Sequence, residues 1–224
     1  FLVGWVILLD YLFLPMINGL LIAIYLNAYF PSVPFSVWLI AFVILITTVN
    51  IIGVKIATKI NLLLVACQFL IIAIFTFLSI KGLLNGMGSG TLFMSSPFVN
   101  GDIPLSLVLA GSSILCLSFL GFDSVTTFSE ETINPKKIIP KAIFLVALIG
   151  GGLFITISYL SHLVYPNFQS FKDPDSAALE IAMYIGGNLF QSIFLAGYIT
   201  GGLASGLSSH ASVSRLLYAM GRDG

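Results

Sequence analysis

The chain has 224 residues, 58% hydrophobic and only 8% charged, with a formal net charge of zero and a mean hydropathy of +1.08. Soluble domains carry about 25% charged residues, and no soluble fold of this length hides so much apolar surface, so lipid is the solvent for most of the chain. The neutral balance gives no reason to expect a nucleic acid, and Cys67 and Cys116, both inside apolar runs, read as small hydrophobes rather than a disulfide or a metal site.

A membrane-crossing helix needs roughly 20 apolar residues. The sequence predicts six, at about 1–29, 36–54, 60–80, 104–129, 140–165 and 187–212. They form a single transmembrane region, 1–224, with an all-α polytopic architecture and no β alternation. PSVPF follows the first span, and VKIATKIN joins the second and third. A Gly/Ser/Pro/Asn-rich stretch from about 82 to 103 separates the third and fourth, and TINPKKIIPK joins the fourth and fifth. YPNFQSFKDPD leads to the sixth, with Ala177 to Ile185 expected as a short surface helix before it. Opening at Phe1 inside an apolar run and closing on GRDG, the sequence reads as a portion of a longer polypeptide.

Orientation follows from lysine and arginine. Lys55, Lys59, Lys136, Lys137, Lys141, Arg215 and Arg222 fall on one side, Lys81 and Lys172 on the other, seven against two. Basic loops stay cytoplasmic, so the first span is expected to run outward and the sixth to end inside a cell membrane crossed several times.

Two acids lie at membrane depth, Asp10 in the first span and Asp123 in the fourth. Such groups are costly there and face a cavity or a partner. Around Asp123 the apolar run LSLVLAGSSILCL gives way to SFLGFDSVTTFSEET. On a continuous helix Ser118, Gly121, Asp123, Ser124, Thr126, Thr127 and Ser129 would spread around the circumference and meet lipid. Two readings follow. Either the helix breaks near residues 118–123 and the irregular backbone lines an internal cavity, as in many secondary transporters, or a kinked helix turns its hydroxyls onto its own carbonyls. In the first span Tyr11, Asn18 and Tyr25 recur every seven residues on one face, with Pro15 between them, the pattern of an aromatic packing stripe.

The run SFLGFDSVTTFSEETINPKKIIPKAI resembles the sixth-helix signature of the amino acid–polyamine–organocation permeases. ASVSRLLYAMGRDG resembles that family's signature after its eighth helix, and Asn50, Gly53, Lys55 and Asn61 match its fourth-to-fifth connection. GWVILLDYLFLPM looks most like the putrescine-importer branch. The resemblance implies a fold of two inverted five-helix repeats plus two peripheral helices, of which this chain supplies the third to eighth. The first helix, with half of the substrate site, would precede Phe1, so these residues alone are expected not to transport.

The resemblance also implies roles. Ser118, Phe119 and Leu120 would offer backbone carbonyls to a substrate amine, Gly121 would permit the break with Phe122 beside it, and Asp123 would either start and cap the inner half-helix or touch substrate. Tyr11 becomes a substrate-binding candidate, and Asp10, roughly 100° away around the helix, either a counterion for a second amine or a partner of another helix. Glu130, Glu131, Arg215 and Arg222 would form an inner gate of ion pairs or a solvated rim, where exposed pairs are worth about 0–1 kcal/mol. Gln68 stands where proton-coupled members carry a lysine, and Leu117 where an aromatic gate is common, with Phe119 or Phe122 as substitutes. A coupling ion would then be a proton on a carboxylate or a sodium ion near Ser205, Ser208, Ser209 and Ser212; exchange is the other option. His162 and His210 read as structural.

The expected function is a secondary transporter (permease) importing or exchanging a small amine, an amino acid or a polyamine. An amine sensor or a channel on the same helices is the alternative. No enzyme is expected: HExxH, GxSxG, CxxC and ATP-binding motifs are all missing from the sequence, and no cofactor or metal is called for.

Overall fold

A computed structural model describes residues 2–52, 54–95, 97–98, 104–129 and 132–223. Six α-helices follow one another: α1 (Leu2–Tyr29), α2 (Phe35–Ile52), α3 (Val54–Leu84), α4 (Leu105–Leu115), α5 (Pro135–Val164) and α6 (Ala177–Asp223). No strand occurs among the described residues. Among the described residues six helical segments are long and apolar enough to cross a membrane, the fourth running from Leu105 to Phe128 through an interruption.

Several helices outrun their expected bounds. α3 begins at Val54 rather than near 60, and α6 continues past 212 to Asp223. Lys, Arg, Leu and Met propagate a helix well, so charge at a span's end does not stop it. α5 starts at Pro135, whose missing N–H costs nothing at the first helical position. Asn134 before it is left-handed (φ 56°, ψ 55°), a conformation asparagine tolerates, and its carbonyl accepts from the amides of Lys137 (3.1 Å) and Ile138 (3.2 Å). Gly187 (φ 69°, ψ −168°) separates the expected short helix from the last span inside α6.

The chain forms two compact units. The first comprises Phe1–Leu78 and Asn167–Gly224. Its centre is α6, which runs antiparallel to α1 and α3. Against α1, the Asn18 amide donates to Ser205 Oγ (2.8 Å), Tyr25 stacks on Tyr198 (3.9 Å between ring centres), and the Tyr29 and Ser192 hydroxyls pair at 2.7 Å. Against α3, the Asn61 amide donates to Ser208 Oγ (3.0 Å), and Phe75 lies 6.1 Å from Phe194. Both seams advance by seven residues, the spacing of shallow-angle helix packing. Glycine makes the approach possible: a Cβ at Gly201 would strike the Gln68 carboxamide, one at Gly197 would lie 2.5 Å from Ile71 Cδ1, and one at Gly202 2.6 Å from Ile22 Cδ1. Small residues at such crossings let helix backbones close up where lipid supplies no hydrophobic drive. Ile22, Tyr25, Leu26, Phe42, Ile46, Leu195 and Leu207 fill the space around these contacts.

A double-mutant cycle with Asn18→Ala and Ser205→Ala, read by thermal unfolding in detergent, should give a coupling of about 0.6 kcal/mol, the mean for interhelical hydrogen bonds in membranes. A coupling of zero would mean that the pair is not formed.

The second unit is Ser79–Pro166: the last turns of α3, the loop after it, α4, the interruption and α5. The loop is fixed to the end of α5. Ser89 N–H donates to Leu163 O (2.8 Å), and the Tyr159 hydroxyl accepts from Met94 N–H (2.9 Å).

Candidate functional site

The fourth span is interrupted where the sequence predicts. α4 ends at Leu115; a 3₁₀ turn covers Cys116–Phe119, residues 120–123 form a turn, and a second 3₁₀ stretch covers Ser124–Phe128. Backbone bonds through this region skip three residues rather than four: Leu120 N–H to Leu117 O (3.2 Å), Phe122 N–H to Phe119 O (3.2 Å), Ser124 N–H to Gly121 O (3.0 Å) and Thr126 N–H to Asp123 O (2.8 Å). Gly121 takes φ +80°, which only glycine adopts cheaply. The cause is local. An achiral residue sits amid side chains that compete for backbone groups, inside a run otherwise long enough to span.

Asp123 occupies the residue before the second 3₁₀ stretch, but its carboxylate makes no capping bond. That stretch is five residues long and is not an α-helix, so the expected inner half-helix with Asp123 as its cap does not form here. Of the hydroxyls beyond the break, Thr127 donates to Ser124 O (2.7 Å) and Ser129 to Thr126 O. Both readings of the sequence are therefore partly met: the helix breaks at Gly121, and its later hydroxyls turn onto their own backbone. Ser118, Phe119 and Phe122 are exposed, while Leu120, Gly121 and Asp123 are half-buried. Phe119 packs edge-on against Phe154 of α5 (5.7 Å) and beside Gly151, where a Cβ would lie 3.5 Å from its ring. Leu117, where the resemblance leads one to expect an aromatic gate, is exposed.

Tyr11 and Asp10 lie on α1, in the other compact unit. Tyr11 is wholly buried and Asp10 half-buried. The seam that pairs residue 18 with 205 and 25 with 198 carries Tyr11 level with Ser212, which is also almost fully buried. Of the four residues expected to form an inner gate, Arg215 is half-buried and Arg222 exposed, both on α6 rather than in a loop; Glu130 and Glu131 lie outside the described residues. Gln68 faces Gly201, with Oε1 buried and without a hydrogen bond.

Sequence reasoning missed Tyr159, which holds the 85–95 loop; a tyrosine near a helix end carries no signal of the distant backbone it binds. It also missed the Asn61–Ser208 pair, whose two halves were noticed separately.

A family model described as amino acid permease matches residues 1–224. The chain is 44% identical, over its whole length, to half of the low-affinity putrescine importer PlaP of Escherichia coli strain K12. It is 26% identical, again over its whole length, to half of the branched-chain amino acid permease of Bacillus subtilis strain 168. Over 52% of the chain it is 34% identical to 18% of human cationic amino acid transporter 4. The chain thus spans about half the length of the first two. No solved structure matches it.

Proposed function

This chain belongs to the amino acid permease family, and from that premise we propose that the whole protein is a secondary transporter carrying a small organic amine across a cell membrane by alternating access. The observation that carries the reading is the interruption at Gly121. Lipid does not tolerate irregular backbone unless it is buried in protein or lines a cavity, and transporters place substrate at such breaks. Backbone carbonyls from Ser118 to Leu120 suit an ammonium group, since their dipoles replace its hydration.

The substrate class is cationic, a diamine ahead of a neutral amino acid. Asp123 is the acid beside the break. A second ammonium needs another acid or ring at membrane depth, and Asp10 and Tyr11 are the candidates on α1. An aromatic face adds about 0.5–2 kcal/mol for a desolvated cation. Similarity to a putrescine importer supports the same choice.

Gln68 does not titrate, so coupling through a lysine at that position is not available. Exchange, protonation of a carboxylate or a sodium ion near the α6 serines takes its place. Glu130 and Glu131 with Arg215 and Arg222 are proposed as the inner gate.

Competition against labelled putrescine in the full-length protein tests the substrate class. Diamines are expected to displace it, and neutral amino acids to do so at least tenfold less well; equal displacement by both would refute the cationic preference. Asp123→Asn is expected to cut uptake at least tenfold. If Asp10→Asn keeps wild-type uptake, Asp10 is structural.

A further inference from the structure

We propose that Tyr159 is a latch that fastens the loop 85–95 to α5, so that this loop, α5 and the first 3₁₀ turn of the interruption, which ends at Phe119, travel as one body during transport. The functional half of this inference rests on the transporter reading; the latch itself does not.

The loop has no helix or strand of its own and is mostly exposed, so it would be expected to drift. Instead its backbone is held at two levels of α5. The Tyr159 hydroxyl accepts from Met94 N–H (2.9 Å), and its single hydrogen points to Leu92 O (3.1 Å), with Met94 O at 3.3 Å as the other choice. Phe98 stacks on the same ring, with centres 5.5 Å apart and planes 28° from parallel. One turn further on, Ser89 N–H donates to Leu163 O (2.8 Å). That carbonyl belongs to the last turn of α5, where no intrahelical donor remains. Gly88 (φ +60°) lies so close to the helix end that a Cβ would strike the carbonyl oxygens of both Leu163 and Val164.

The same helix holds the interruption. Phe119 rests edge-on against Phe154 and lies beside Gly151. From Gly151 to Leu163 α5 is continuous and has no proline. At about 1.5 Å per residue, the two attachments are about 10–15 Å apart on one rod. A loop bonded only to itself could be displaced without moving the rod. This one shares its backbone hydrogen bonds with the rod, so displacing it means breaking them.

Cys116 is exposed just before the break, and Thr91 is exposed in the loop. In full-length protein in nanodiscs, with every other cysteine replaced, spin labels at Cys116 and Thr91→Cys read the distance between the two attachments. One narrow distribution is expected, unchanged by saturating putrescine. Tyr159→Phe is expected to broaden it at least twofold and to raise amide exchange at Met94 about tenfold. Met94→Pro removes the donor without touching the ring and should broaden it likewise, covering the case in which Tyr159→Phe fails to fold. A putrescine-dependent shift in the wild type would overturn the single body, and an unchanged width in both variants would overturn the latch. A wild type that takes up neither putrescine nor any amino acid would refute the transporter reading, while the width comparison would still decide the latch.

Discussion

Gly121→Val in the full-length protein is expected to weaken amine binding about 30-fold while leaving the protein folded. Gly121 sits at φ +80° at the centre of the interruption. A left-handed conformation costs an L-residue about 1–2 kcal/mol, and a β-branched one stands at the upper end. The strained backbone then cedes to alternatives that bring residues 118–123 toward a regular helix. If the binding-competent form is disfavoured by about 2 kcal/mol, the apparent affinity falls about 30-fold. Gly121→Asn is the control, since asparagine tolerates the left-handed region better, and it should bind at least several-fold more tightly than the valine variant. Equilibrium binding of labelled putrescine checks both. Wild-type affinity in Gly121→Val would show that substrate does not need the break.

Gly88→Ala is expected to be the most destabilising single-methyl change in the second unit, at about 3 kcal/mol. Two costs combine there. The left-handed φ costs about 1–2 kcal/mol, and the methyl group meets two carbonyl oxygens of rigid backbone rather than a side-chain end that can swing aside. Overpacking of that kind costs about 1–3 kcal/mol. Relief requires the loop to leave α5, which also breaks the Ser89 to Leu163 bond. Gly86→Ala separates the two costs, because Gly86 has φ +84° and nothing within 4 Å of the added atom. It should show the backbone cost alone, about 1–2 kcal/mol. Thermal unfolding of the full-length protein followed by size-exclusion fluorescence measures the difference. Equal midpoints for the two variants would mean that the loop is not seated on the helix end.

Much of the architecture was legible because lipid imposes a coarse rule: long apolar runs become helices. The interruption was legible for the opposite reason, since Gly121, Asp123 and a cluster of hydroxyls contradict that rule within an apolar run. What followed the break was not. The local competition between hydroxyls and backbone, seen at Thr127 and Ser129, produces a 3₁₀ stretch where a capped α-helix was expected. Helix ends were misplaced wherever charge was taken for a loop, as at Lys55 and Lys59, Lys136 and Lys137, and Arg215.

The stripe Tyr11, Asn18, Tyr25 was visible as one face of one helix, but not its partner. Finding α6 requires matching two seven-residue series across about 180 residues of sequence, and Ser, Tyr and Gly recur too often in this chain for the match to be unique. The seat of the 85–95 loop was the least legible feature. Most of its bonds involve backbone atoms, which every residue carries, and only Gly88 and Tyr159 hint at it.

The proposed transport moves a small amine through a pathway built on the interrupted fourth span. Uptake of labelled putrescine by the purified full-length protein in proteoliposomes, with no nucleotide present, tests it most directly. Saturable uptake, competed by unlabelled putrescine and needing about 30-fold more putrescine for half-saturation in Gly121→Val, is the expected result. Uptake no greater than that of empty liposomes, with gradients of protons, sodium and internal putrescine each supplied, would contradict it.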